Sequence, residues 1–212
     1  MDNQVKSKER VQQHGEVFTA EREVNAMLDL VKEETERIDS RFLEPACGDG
    51  NFLVEIIRRK LAIPFNHAQH KRYTQMQYEH DAIVCATSIY GIDILEDNVE
   101  RCRERLLEIF VEQYKQLYKK KINLNVIESI RFILSKNIIH GDALTYKRID
   151  KPDEWIIITE WSTLGRGQIN RRDYEFQYLV GDNALQMGYN DLPCKQFPPQ
   201  NIYNLNKEIY GE

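Results

Sequence analysis

The chain has 212 residues, 42% of them hydrophobic and 30% charged, which is the make-up of one globular domain and excludes wholesale disorder. Its formal net charge of −5 lacks the basic footprint that direct binding to nucleic-acid phosphates requires. Residues 1–10 are polar and charged, and no apolar run approaches the roughly 18 residues of a membrane span, so no membrane contact and a cytoplasmic location are expected.

In chain order, residues 20–38 place Val24, Met27, Leu28 and Val31 at helical spacing and predict a first helix. Arg41-Phe42-Leu43 is a short apolar lead-in to Glu44-Pro45-Ala46-Cys47-Gly48-Asp49-Gly50-Asn51. After it, Phe52 to Ile57 return to helical spacing, and the helix is read as far as Lys60. This is a strand, a glycine turn and a helix start, the arrangement that lets a backbone pass close to a bound nucleotide-like ligand. Residues 60–80 are polar and read as an extra segment before a second strand at 89–94, which ends in Asp93. Val99, Cys102, Leu106, Phe110, Tyr114 and Leu117 form an apolar stripe that predicts a long helix over 98–120, packed on a sheet. A third strand near 137–139 leads to Asp142, and Trp155-Ile156-Ile157-Ile158-Thr159 reads as a buried fourth strand. Residues 181–212, rich in Asn, Gln, Pro and Tyr, read as a loop-rich tail. The four cysteines, Cys47, Cys85, Cys102 and Cys194, lack Cys-x-x-Cys spacing, so neither a metal site nor a disulfide framework is expected.

Residues 44–52 resemble the S-adenosylmethionine-binding motif of adenine-specific (N6) DNA methyltransferases, the modification subunits of bacterial restriction-modification systems. His14-Gly15-Glu16-Val17-Phe18-Thr19-Ala20 resembles the segment that closes over the methionine end of the cofactor there, with Ala20 where the family usually has proline. Ile89-Tyr90-Gly91-Ile92-Asp93-Ile94 resembles the second-strand motif, and residues 137–144 the third. The resemblance implies a Rossmann-like α/β fold, a mainly parallel sheet flanked by helices, truncated relative to the family. It also implies an N-terminal helical segment over 1–37 that closes on the cofactor, a binding domain over 38–180 and a tail over 181–212. The implied cofactor is S-adenosylmethionine, held by Phe18, Thr19, Glu44, Ala46, Gly48, Gly50, Asp93, Ile94, Asp142 and Ala143, with Asp93 accepting from the ribose hydroxyls and Asp142 from the adenine amino group. The acid at Asp93 follows Gly50 by 43 residues (93 − 50), against about 20 in a dinucleotide fingerprint, which disfavours a Rossmann dehydrogenase.

The catalytic motif departs from the family. Where an amide or acid, two prolines and an aromatic would follow the fourth strand, this chain has Glu160-Trp161-Ser162, and no Asn-Pro-Pro-Tyr or Asp-Pro-Pro-Tyr occurs in it. Glu160 could accept an amino hydrogen and Trp161 could stack on an extruded base, or both could be ordinary strand-end residues. Two readings follow. One is a DNA adenine methyltransferase, or its cofactor-binding subunit, with a partner protein supplying target recognition and the contact with DNA; the other is a catalytically inactive binding module serving as a subunit or sensor.

Overall fold

The computed structural model describes residues 10–12, 19–165, 167–180 and 193–207. Strands β1 (Phe42–Glu44), β2 (Ile89–Asp93) and β3 (Ile138–Asp142) lie side by side and parallel, with Phe42 opposite Ile89 and Gly91 opposite Ile138. The two-residue β4 (Lys147–Arg148) adds to β3 in the antiparallel sense. The protein is therefore a mixed α/β fold with a mainly parallel four-stranded sheet flanked by helices. Parallel pairing brings the carboxyl ends of β1, β2 and β3 to one edge, and that edge is where such sheets bind ligands.

Helix α1 (Glu21–Asp29) buries Val24 and Leu28, one turn apart, and is followed by the short α2 (Lys32–Thr35). The extra segment expected between the glycine turn and β2 over 60–80 is present, and most of it is helical. Helix α3 runs from Asn51 to Gln69 and α4 from Gln75 to Thr87, the latter opened by a capping box between Thr74 and Gln77. Only the short stretch between them is non-helical, because the polar residues of 60–80 lie on the outer faces of helices whose inner faces carry Leu61, Pro64, Tyr78, Ala82 and Ile83. Glu79, buried and accepting from the Tyr203 hydroxyl (2.7 Å), is one exception, and Lys60 is another. Lys60 is fully buried, and its ammonium donates to the carbonyls of Arg37 (2.7 Å) and Ser40 (2.5 Å), pinning α3 to the chain that enters β1. Burial lowers its pKa to about 8.

Helix α5 (Glu96–Tyr118) buries Val99, Cys102, Leu106, Phe110 and Tyr114, the stripe read from the sequence. Helix α6 (Leu124–Asn137), unanticipated, is capped by the Asn123 side chain and feeds directly into β3.

The fourth strand requires a correction. Residues 157–165 do not join the parallel sheet; they form β5 (Ile157–Gly165), which pairs antiparallel with β6 (Gln168–Glu175). Strands β7 (Pro193–Gln196) and β8 (Gln200–Asn201) pair with β6 in turn, so the described part of the expected tail completes this second sheet and buries Ile202 and Leu205. The physical reason is periodicity: Thr159 and Trp161 are buried while their neighbours are not, and β6 alternates likewise, as strands covered on one face do. The second sheet leans on the first through Tyr90, whose hydroxyl donates to the Thr159 carbonyl (2.9 Å), and through Trp161, whose indole N–H donates to Asn137 Oδ1 (2.9 Å). Among the described residues no helix is long and apolar enough to cross a membrane.

Candidate functional site

The turn after β1 is held from three directions. Gly48 and Gly50 take φ of 53° and 93°, in the left-handed region that glycine adopts without steric cost. Gly50 is also irreplaceable on space, since a Cβ there would sit 2.6 Å from Cys102 Sγ on α5. From the end of β2, Asp93 Oδ2 accepts from the Gly48 N–H at 2.8 Å, while Oδ1 accepts from Leu95 N–H at 2.9 Å and from Asn98 Nδ2 at 3.3 Å. From α5, Arg105 Nη1 donates to the Asp49 carbonyl (2.8 Å) and to Asn51 Oδ1 (3.0 Å). The same nitrogen forms an ion pair with Asp49 Oδ1 at 2.9 Å, and that buried oxygen has no hydrogen-bond partner. A loop so tied is pre-organised; its backbone does not have to be ordered by a ligand.

Cys47 sits inside this turn, 6% exposed. Its thiol donates to the Gly48 carbonyl (3.6 Å), and the neighbouring Cys102 thiol and burial both push its pKa up, away from the thiolate that a nucleophile needs. It fills space: a Cβ on Gly91 of β2 would lie 2.9 Å from its sulfur. Among the described residues no group of three or more His, Cys, Asp or Glu side chains is placed to hold a metal ion.

Around the turn the carboxyl edge is acidic. Glu44 ends β1, half-buried, with desolvation raising its pKa against a weak contact from the Ala46 N–H (3.4 Å). Asp93 ends β2 and Asp142 ends β3, two residues beyond the partner of Asp93. Asp142 Oδ1 accepts from the Leu144 N–H at 2.8 Å. Apolar side chains stand exposed beside both aspartates: Ile94 is 42% and Leu144 90% exposed, while Ala143 packs inward. Of the cations near it, Arg105 and Arg10 are paired to Asp49 and Asp97 respectively, and Lys147, the cross-strand partner of Asp142, lies over the Trp155 ring. Such an edge repels a pyrophosphate and suits a ligand with positive charge and a planar ring.

The segment before α1 reaches the same place. Asn51 Nδ2 donates to the Thr19 carbonyl at 3.2 Å, which puts Thr19 against the turn. Phe18, expected beside it, lies outside the described residues. Arg10 donates to both carboxylate oxygens of Asp97 (2.8 and 3.1 Å) at the start of α5, next to Asp93 in the chain. Arg10, Asn98 and Arg105 are participants that sequence reading missed; each is a polar residue whose role depends on partners distant in sequence.

Glu160 and Trp161 do not gather at this edge. Glu160 is held by Arg41 (3.1 Å), at the opposite end of β1 from the glycine turn, and by the Tyr174 hydroxyl (3.1 Å). Trp161 points to the other face of β5, where it is 6% exposed against Phe132, with its N–H bonded to Asn137. An indole so placed has no open face on which to stack a base. The turn residues, Asp93 and Asp142 stand at the carboxyl ends of the three parallel strands, on one edge of the sheet.

Comparisons with protein-family models, with curated proteins and with solved structures find no match to this chain.

Proposed function

We propose that the crevice at the carboxyl edge of β1, β2 and β3 binds S-adenosylmethionine, and that the chain is a cofactor-binding subunit or module of the DNA adenine methyltransferase type. The observation that carries the reading is the coincidence, at one sheet edge, of a pre-organised glycine turn with a carboxylate at the end of each of three parallel strands. The chemistry matches the ligand part by part. A sulfonium and an ammonium are attracted to Glu44 and Asp93, and the adenosine diol and amino group are donors for acids at β2 and β3. Ile94 and Leu144 offer apolar surface to the adenine ring. The amino end of α3, whose first turn holds no acidic residue, suits the methionine carboxylate.

The inactive alternative is favoured over turnover by one specific observation, the commitment of Trp161 to the core and of Glu160 to Arg41 and Tyr174. A module of this kind would hold the methyl donor while a partner protein presents DNA. The test is a radiolabelled methyl-transfer assay on mixed genomic DNA, beside calorimetric binding of S-adenosylhomocysteine. Binding without incorporation by the lone chain is expected. Robust incorporation that disappears in Glu160→Ala would establish Glu160-Trp161-Ser162 as a variant catalytic motif and overturn the inactive reading.

A further inference from the structure

An ionised carboxylate offers about four lone-pair positions. In Asp93 three are occupied: Oδ1 takes two donors, Leu95 N–H and Asn98 Nδ2, and Oδ2 takes one, Gly48 N–H. A cis-diol that donates one hydroxyl to each oxygen therefore finds room on Oδ2 and none on Oδ1. One incumbent must leave, and the three are not equivalent. Gly48 N–H and Leu95 N–H are backbone groups at 2.8 and 2.9 Å, fixed by the glycine turn and by the start of α5, and displacing either strands a main-chain donor. Asn98 Nδ2 is a side-chain amide at 3.3 Å, the longest of the three, and it can turn about its own χ angles.

We infer that Asn98 is a built-in competitor for the ribose position of this crevice, which sets ligand affinity by occupying the Asp93 oxygen that a diol needs. The inference rests on the reading that the crevice binds S-adenosylmethionine. Asn98 is 1% exposed and its Oδ1 accepts from Arg10 Nη2 at 3.4 Å, so its displacement also loosens a contact to the N-terminal segment. Removing a residue that contributes to a ligand site ordinarily weakens binding. Removing a competitor strengthens it, and the two roles are told apart by sign.

The experiment measures, by calorimetry on the full chain, binding of S-adenosylhomocysteine and of its 2′-deoxy analogue to the wild type, Asn98→Ala and Asn98→Leu. Losing one incumbent hydrogen bond should tighten S-adenosylhomocysteine roughly 2- to 12-fold, with little change for the deoxy analogue, whose single 3′-hydroxyl can use the open position on Oδ2 without displacing Asn98. The leucine variant keeps the branched outline of asparagine with bulkier, non-bonding ends, and guards against an effect of the cavity in Asn98→Ala. Side-chain amide resonances of Asn98 in the wild type provide a readout that needs no substitution, and they should move on binding. Tighter binding in the variants with a shifted Asn98 resonance supports the inference. Unchanged or weaker binding, or an Asn98 amide that stays in place, overturns it while leaving the cofactor reading intact. No binding of S-adenosylhomocysteine to any form would instead overturn the cofactor reading itself.

Discussion

Replacing Asp93 by alanine should destabilise the empty protein, before any ligand is considered. The carboxylate is buried and satisfies two backbone donors and one amide, across the β1 turn, the start of α5 and the α5 helix itself. The Asn98 amide can turn about its own χ angles, but the Gly48 and Leu95 N–H groups are fixed by the local chain. Leaving a buried donor unsatisfied costs about 1–3 kcal/mol, so the two together predict a loss of about 2–6 kcal/mol. In a chain of this size each kcal/mol moves Tm by about 2–4 °C. Urea and thermal denaturation without ligand would read this directly. Asp93→Asn is the sharper comparison: it keeps one acceptor oxygen but turns an NH2 toward a donor, so it should recover at most part of the loss. If Asp93→Ala unfolded at the wild-type midpoint, the three hydrogen bonds would not be what holds the turn.

Other substitutions follow from the same geometry. Gly50→Ala should lose about 1–3 kcal/mol from the left-handed φ alone, and more from the collision with Cys102 Sγ, with cofactor binding lost in parallel; a variant of wild-type stability would show that the turn tolerates a Cβ. Trp161→Phe should lower stability by about 1–3 kcal/mol through the unpaired Asn137 oxygen while leaving ligand affinity unchanged, and a change confined to binding would return Trp161 to the site. The Lys60 ammonium gives a pH signature. Its folded pKa of about 8 lies below the ordinary lysine value of 10.5, so between these values the unfolded chain binds the extra proton and stability rises with pH. Denaturation midpoints measured from pH 7.5 to 10.5 (about the titration window) should climb less steeply in Lys60→Met than in the wild type; equal slopes would mean that Lys60 titrates normally in the fold.

The parts of the molecule that were legible in the sequence are those dictated by local signals. The glycine turn with its flanking strand and helix, the strand ending at Asp93, the strand ending at Asp142 and the α5 stripe each carry their pattern within one continuous stretch of chain. What misled was context. Residues 60–80 read only as an extra polar segment, yet their apolar members fall on the inner faces of α3 and α4, and Lys60 satisfies its charge with carbonyls that no local pattern announces. Trp155 to Thr159 reads as a buried strand of either kind, and only the alternation beyond it, together with Gly165-Arg166-Gly167 between two β-rich runs, distinguishes a hairpin from a fourth parallel strand. Missing that hairpin placed Glu160 and Trp161 at the wrong end of β1. The ties made by Arg105, Arg10 and Asn98 were invisible because they are tertiary contacts of ordinary surface residue types.

The most direct measurement of the central claim is a backbone amide NMR titration of the isolated chain with S-adenosylhomocysteine. If the crevice at the carboxyl edge is the cofactor site, the saturable shifts should concentrate on Gly48, Gly50, Leu95 and Ala143, while Glu160 and Trp161 stay in place. Absence of saturable shifts, or shifts centred on β5 and Arg41 instead, would contradict it.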